Sequence, residues 1–344
     1  MHRPDEHHDH PSCLVTGGAG FIGSHLVDRL VSLGRRVTVL DDLSTGRASN
    51  LDGVRDRVEL VEGDVARIGD LLPDRRFDEI YHLAAAVGVR LVLEDPIRAI
   101  ETNVHGTAAV LEYAQRHDSP PTLVASSSEV YGKPNTGVFS EDDDCLYGPT
   151  TTTRWSYAAT KALDEHLALA YDRLRAVPVV VCRFFNTVGP RQVGDYGMVV
   201  PAFVAAALRG EPITIYGDGE QSRCFCDARD VAAVLPALLA HPGARARVIN
   251  VGHDEPVTIA GLADLVTETL ASDSPIRKIP YSDAYPAGFE DLRQRRPDLS
   301  RLRDLTGFQP RIPLRQTILD LAAESPAGRP GIGRTQPRQT GGDA

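Results

Sequence analysis

Apolar and polar positions follow two alternating rhythms along this chain. Short apolar runs such as Cys13-Leu14-Val15 and Arg36-Val37-Thr38-Val39-Leu40 read as buried strands. After the first run, Ser24 to Leu30 carries apolar residues at helical spacing. Strand-like runs recur at Val58-Glu59-Leu60-Val61-Glu62, Glu79-Ile80-Tyr81-His82-Leu83, Thr122-Leu123-Val124-Ala125-Ser126 and Pro178-Val179-Val180-Val181-Cys182-Arg183. Strands alternating with helices predict an α/β fold, a doubly wound parallel sheet with helices on its faces. From about Asn186 the alternation fades and Pro and Gly become frequent. The pattern therefore divides into a first domain over 12–185 and a smaller mixed α/β domain over 186–324, with the chain crossing between the two. A polar, His-rich leader over 1–11 and a Gly/Pro/Arg-rich tail over 325–344 are expected to be disordered.

The turn after the first strand sharpens this. Gly17, Gly20 and Gly23 stand three residues apart between a strand and a helix. That spacing allows a tight turn, close approach of backbone to a pyrophosphate, and close helix–strand packing, with the phosphate at the helix N-terminus. The next strand ends in Asp41-Asp42, about where an acid grips an adenosine ribose. Asp41 would repel a 2′-phosphate, so the expected cofactor is NAD rather than NADP, on a Rossmann-type domain. Asp64 and Val65 follow the third strand and could frame an adenine. Ala84 and Ala85 follow the fourth and are small enough to let a cofactor approach the backbone.

Composition narrows the class. The net charge of −10 argues against a general nucleic-acid binder, and no apolar run is long enough for a membrane span. Cys13, Cys145, Cys182, Cys224 and Cys226 show neither zinc-ligand spacing nor a disulfide framework, so reduced thiols, no resident metal and a cytoplasmic location are expected.

The chemistry centres on Arg154-Trp155-Ser156-Tyr157-Ala158-Ala159-Thr160-Lys161, downstream of Ser126-Ser127-Ser128-Glu129-Val130-Tyr131-Gly132. On a helix, Tyr157 and Lys161 share one face. A phenol has an ordinary pKa of about 10, and a neighbouring ammonium with a cationic nicotinamide would pull it toward neutrality. Tyr157 is thus a candidate base, with Ser127 as a supporting hydroxyl.

Together, Gly17-x-x-Gly20-x-x-Gly23, Asp41, Ser127, Tyr157 and Lys161 resemble the extended short-chain dehydrogenase/reductase family that acts on nucleotide sugars. Similar segments include Arg183-Phe184-Phe185-Asn186-Thr187-Val188-Gly189-Pro190-Arg191, Tyr216 to Arg223, and Arg295-Arg296-Pro297-Asp298. The resemblance spans about 12–324. It implies that Tyr157 takes a proton from the sugar 4-hydroxyl while hydride leaves C4, that Lys161 bridges the nicotinamide ribose, and that Ser127 bonds the 4-oxygen. It places Phe21, Ile22, Asp42, Ser44, Gly46, Leu83 and Asn103 on the cofactor as well. Asn186, Arg191 and Arg223 would hold the nucleotide diphosphate, with Val200 and Tyr216 also on the substrate. A homodimer is implied, packed through the Tyr157 helix and the helix around 97–116; the apolar Ile97, Ile100, Val104, Ala108 and Leu111 fit that and equally fit ordinary packing on the sheet.

Within the family, dehydratases carry Asp-Glu before Val-Tyr-Gly, whereas this chain has Ser128-Glu129. Ser127 to Gly132 and Arg295 to Asp298 resemble UDP-glucuronate decarboxylases, in which the first Arg meets the substrate carboxylate. Oxidation at C4 would make that carboxylate a β-keto acid. Arg295 would hold it and Glu129 would assist reprotonation at C5, giving UDP-xylose or a released 4-keto pentose. The loop Ala84-Ala85-Ala86-Val87-Gly88-Val89-Arg90 looks more like that of a UDP-sugar 4-epimerase, the alternative expectation.

Overall fold

A computed structural model of the chain describes residues 10–87, 95–133, 137–192, 198–280, 283 and 293–325. Most of the expected leader and tail, and Gly88 to Arg90 of the epimerase-like loop, lie outside the described residues. The central element is a seven-stranded parallel sheet. Its spatial order is Arg247–Val251, Val179–Phe184, Thr122–Ser127, Glu79–His82, Ser12–Thr16, Arg36–Asp41, Val58–Glu62. The boundaries of the six strands from Ser12–Thr16 to Val179–Phe184 fall within a residue of the sequence pattern, which did not mark Arg247–Val251.

The strands read as unbroken apolar runs because the sheet is covered on both faces. Alternate residues go to opposite cores. Cys13, Val15, Val37 and Val39 pack under the helices Phe21–Ser32 and Ala228–Ala240. Leu14, Leu40, Ile80 and Val124 pack under Pro96–Arg116 and Arg154–Arg175. Each fully buried aliphatic side chain contributes ~2 kcal/mol. The edge strand Val58–Glu62 instead exposes Glu59, Leu60 and Glu62. Its charges discourage pairing with another chain.

Asp95 starts the helix Pro96–Arg116 by accepting from the Arg98 N–H at 3.1 Å, with Pro96 in the first turn. Ala176, left-handed at φ 57°, ends Arg154–Arg175 ahead of Pro178.

The sheet crosses the expected boundary at 186. Arg247–Val251 pairs in parallel with Val179–Phe184, and Ala228–Ala240 packs on Phe21–Ser32. The chain therefore leaves the first domain and returns to finish it. The smaller second layer has its own core, including Phe203, Ile213, Leu262, Val266 and Ile318. It also has a four-stranded sheet in the order Val257–Thr258, Ser222–Arg223, Gln294–Pro297, Val138–Phe139.

Candidate active site

The carboxyl ends of the parallel strands bring Gly17, Asp41, Ala84, Ser127 and Asn186 to one edge, where open α/β sheets bind ligands. Gly17 has φ +69°, and a Cβ there would lie 2.7 Å from the Ala84 nitrogen. A Cβ on Gly23 would lie 2.1 Å from the Gly17 oxygen. These two glycines are demanded by backbone-to-backbone approach. Gly20 caps the helix Phe21–Ser32 without a side-chain bond, and its first turn holds no acid, which suits an anion at those N–H groups. Phe21 and Ile22 are half-buried in that turn.

Asp41 is buried, and its carboxylate accepts from the Ala19 N–H and the Leu43 N–H, both at 2.9 Å. Burial pushes its pKa up against those two bonds. Asp41 therefore ties the glycine loop to the second strand. Asp42 accepts from the Ser44 N–H and hydroxyl, and a Cβ on Gly46 would meet Asp41 at 2.9 Å. Asp64 caps the short turn at Val65, accepting from the Ala66 N–H at 2.9 Å.

The Ala84 N–H donates to the Thr16 hydroxyl at 3.3 Å, and Leu83 N–H to the Thr16 carbonyl at 3.0 Å. Asn103 is 1% exposed. Its amide accepts from the Ala86 N–H at 2.8 Å and donates to Thr160 at 3.3 Å. It fastens the loop through Ala84 and Ala85 to the Tyr157 helix, a supporting position rather than a face open to a ligand.

Tyr157 packs against Ala86 and Ala99, with the Ser127 hydroxyl within hydrogen-bonding reach of its phenol. The phenol is pushed well up, first by burial and then by the Glu129 and Asp164 charges, with only Ser127 opposing. This differs from the lowering expected of Lys161. The Lys161 ammonium is engaged elsewhere, donating to the Ala125 carbonyl and to Asp164 Oδ2, both at 3.1 Å.

Arg295 donates to Glu129 in an ion pair that joins residues far apart in sequence. Arg223 lies beside Arg295 in register across two parallel strands. Burial pushes the Glu129 carboxyl up, but the guanidiniums of Arg295, Arg154 and Arg223 outweigh it and hold it below the usual range. Asn186 is half-buried, and its Oδ1 has no hydrogen-bond partner among the described residues.

Other expected substrate residues stand differently. Arg191 Nη2 pairs with Asp28 at 2.8 Å and its N–H donates to Glu324 at 2.7 Å, so a carboxylate holds the guanidinium expected on the diphosphate. Val200 is 1% exposed within the second core, while Tyr216 is 42% exposed.

Sequence reasoning missed Arg154, Asp164 and the clamp formed by Glu165. Glu165 takes a two-bond contact from Arg183 at 2.8 and 2.9 Å and a bond from Ser126 at 2.5 Å. Spacing held the signal, since Arg154 lies three residues before Tyr157 and Asp164 three after Lys161, each one helical turn away.

The fold and the glycine cradle define a Rossmann-type dinucleotide-binding protein, with Tyr157 and Ser127 near the carboxyl edge of its sheet. The chain belongs to the NAD dependent epimerase/dehydratase family, which matches residues 13–252. Its cofactor is NAD, which the glycine cradle fits. It is 38% identical to UDP-N-acetyl-alpha-D-glucosaminuronate decarboxylase of Bacillus cytotoxicus, over 89% of this chain and 95% of that protein. It is 36% identical to UDP-glucuronic acid decarboxylase 4 of Arabidopsis thaliana over 89% of this chain, and spans 66% of that protein's length. The UDP-glucose 4-epimerase of Thermotoga maritima, solved with UDP-glucose, superposes with a TM-score of 0.81 at 26% identity, covering 90% and 97% of the two chains. DesIV of Streptomyces venezuelae, a dTDP-glucose 4,6-dehydratase with NAD bound, gives 0.80 at 28% identity, covering 91% and 97%.

Proposed function

We propose that the chain decarboxylates UDP-glucuronate: oxidation at C4, loss of carbon dioxide, and re-reduction to UDP-xylose. The Glu129–Arg295 pair beside Tyr157 and Ser127, flanked by Arg223 and Arg154, carries this reading. NAD, when bound, takes hydride from C4 and later returns it. Tyr157 accepts the 4-hydroxyl proton, with Ser127 bonded to the same oxygen as negative charge gathers there. The C4 ketone draws in the electrons of the C5–C6 bond as carbon dioxide leaves. Arg295 holds the carboxylate in line with the ketone, displacing Glu129, which then stands near C5 where a proton must be delivered. Asn186 and Arg223 meet the diphosphate, and Tyr216 offers an exposed ring at the nucleotide end.

The 38% identical Bacillus cytotoxicus relative supports a second substrate, the 2-acetamido analogue of the same hexuronate. The reading includes a homodimer. Ile97 (69% exposed), Ile100 (40%) and Leu163 (49%) lie on the helices Pro96–Arg116 and Arg154–Arg175. It also includes a cytoplasmic location, supported by four buried free cysteines that suit a reducing compartment.

The test is proton NMR of the purified protein with UDP-glucuronate and NAD. Loss of C6 with UDP-xylose or its 4-keto form appearing supports the reading. UDP-galacturonate appearing would make this an epimerase. Turnover confined to the 2-acetamido hexuronate would move the substrate and keep the chemistry.

A further inference from the structure

The catalytic lysine has a fully buried counter-ion that the reaction above does not use. Asp164 is 0% exposed, and its Oδ2 takes the Lys161 ammonium at 3.1 Å. The ammonium's other contact is the Ala125 carbonyl, at the same distance. The Thr107 hydroxyl, from the helix Pro96–Arg116, lies near Asp164 and favours its charged form against the burial that raises its pKa, and Asp164 Oδ1 has no hydrogen-bond partner among the described residues. Thr107 lies 3.1 Å from His82 Nε2, and His82 Nδ1 lies 2.7 Å from the Thr16 hydroxyl. Buried polar groups thus fill the space between the strand that opens the glycine loop and the lysine.

We propose that Asp164 is a positioning residue that balances the Lys161 charge at the hydride-transfer site and so favours the oxidised nicotinamide over the reduced one. This deepens the proposed reaction and rests on it for its biological meaning. The physical argument is one of charge. NAD+ carries one positive charge more than NADH, so a fixed anion beside the site stabilises the oxidised form relative to the reduced one. Within a poorly solvated site that preference survives screening. The Lys161–Asp164 pair is close to neutral, whereas Lys161 alone would favour NADH. In a cycle that oxidises C4 and must then give the hydride back, this balance sets how often the enzyme stalls in its reduced form.

The same charge acts on Tyr157. The groups facing the phenol are Glu129 and Ser127 from the turn after Thr122–Ser127, and Asp164 from its own helix. Those facing Asp164 are Lys161, Thr107 and Glu165, and Lys161 in turn faces His82. Neutralising Asp164 removes one of the two anions that push the phenol up. The pH limb of hydride transfer that reports Tyr157 is therefore expected to move to lower pH.

The experiment compares wild-type protein, freed of nucleotide, with Asp164→Asn. NAD+ and NADH are titrated separately, with dissociation constants read from Trp155, the chain's one tryptophan, 6% exposed and lying near Arg154 and Lys133. The ratio Kd(NAD+)/Kd(NADH) is expected to rise about tenfold in Asp164→Asn, ~30 mV for a two-electron couple, and to stay at the wild-type value in Asp164→Glu. A purely structural role would weaken both forms alike and leave the ratio unchanged, which would overturn the proposal. Thr107→Val should move the ratio the same way by less and serves if Asp164→Asn does not fold. An unmoved ratio there overturns the proposal equally. No sugar is present, so these results stand apart from the decarboxylation test.

Discussion

The two ends of this site are held in place by different forces. At the dinucleotide end the fixing is done by backbone: Gly17 against Ala84, Gly23 against Gly17, and the Asp41 carboxylate gripping the N–H groups of Ala19 and Leu43. At the sugar end it is done by charged side chains, Glu129 with Arg295 and Arg191 with Asp28. A backbone cradle is finished before its ligand arrives and tolerates no added atom. Ion pairs can exchange one carboxylate for another, so the sugar end can trade its own acids for those of a substrate. The first arrangement suits the NAD cofactor, and the second suits the acidic substrate of the proposed reaction, which changes every turnover.

Substitutions can break or sharpen that contrast. Tyr157→Phe, at the meeting point of the two ends, should slow turnover by about 10³-fold. NAD binding, read by Trp155 fluorescence, should be retained; loss of both would mean that the phenol is part of the cradle. Arg295→Gln should lower decarboxylation by ~10²-fold with the NAD dissociation constant unmoved. An equal fall in cofactor affinity would show that the two ends are not separable. Gly23→Ala should do the reverse, costing ~1–3 kcal/mol in urea unfolding through overpacking and raising the NAD dissociation constant. Retained NAD affinity would break the distinction.

The smallest effect concerns acid stability. His82 is fully enclosed, and burial, then the Lys161 charge, bring its pKa down to about 3. The unfolded chain takes up this proton below its ordinary 6.5, whereas the folded chain refuses it until about 3. Its stabilising contribution is therefore whole above pH 6.5 and drains away as pH falls toward 3, with ~2 kcal/mol gone by pH 5. Urea midpoints at pH 7 and pH 5 should differ less in His82→Gln than in the wild type.

The same contrast explains what the sequence made legible. The glycine loop, Asp41 and the strand runs could be read directly because local geometry dictates residue type there: a Cβ does not fit, or a strand is covered on both faces. Tyr157 and Lys161 were readable from helical spacing. The Glu129–Arg295 contact spans 166 residues, and spacing alone offers nothing to reveal it. The contacts of Arg191 were out of reach for a related reason. Its partners, Asp28 and Glu324, come from the first helix and the last, and only the folded chain shows them claiming it. A crossing between the two domains was expected, but not which segment makes it, because the strand Arg247–Val251 joins a sheet begun more than two hundred residues earlier.

The four-stranded sheet behind the sugar end draws its strands from near residues 138, 222, 257 and 295. During synthesis on a ribosome, the glycine loop, Ser127, Tyr157 and Lys161 have all been made once Phe184 has been added. Arg295 follows roughly ten seconds later at ordinary elongation rates. The growing chain therefore completes its dinucleotide domain at Val251 and adds Arg295 only afterwards, so a nascent protein has the fold for its cofactor before it has the arginine proposed to grip an acidic sugar.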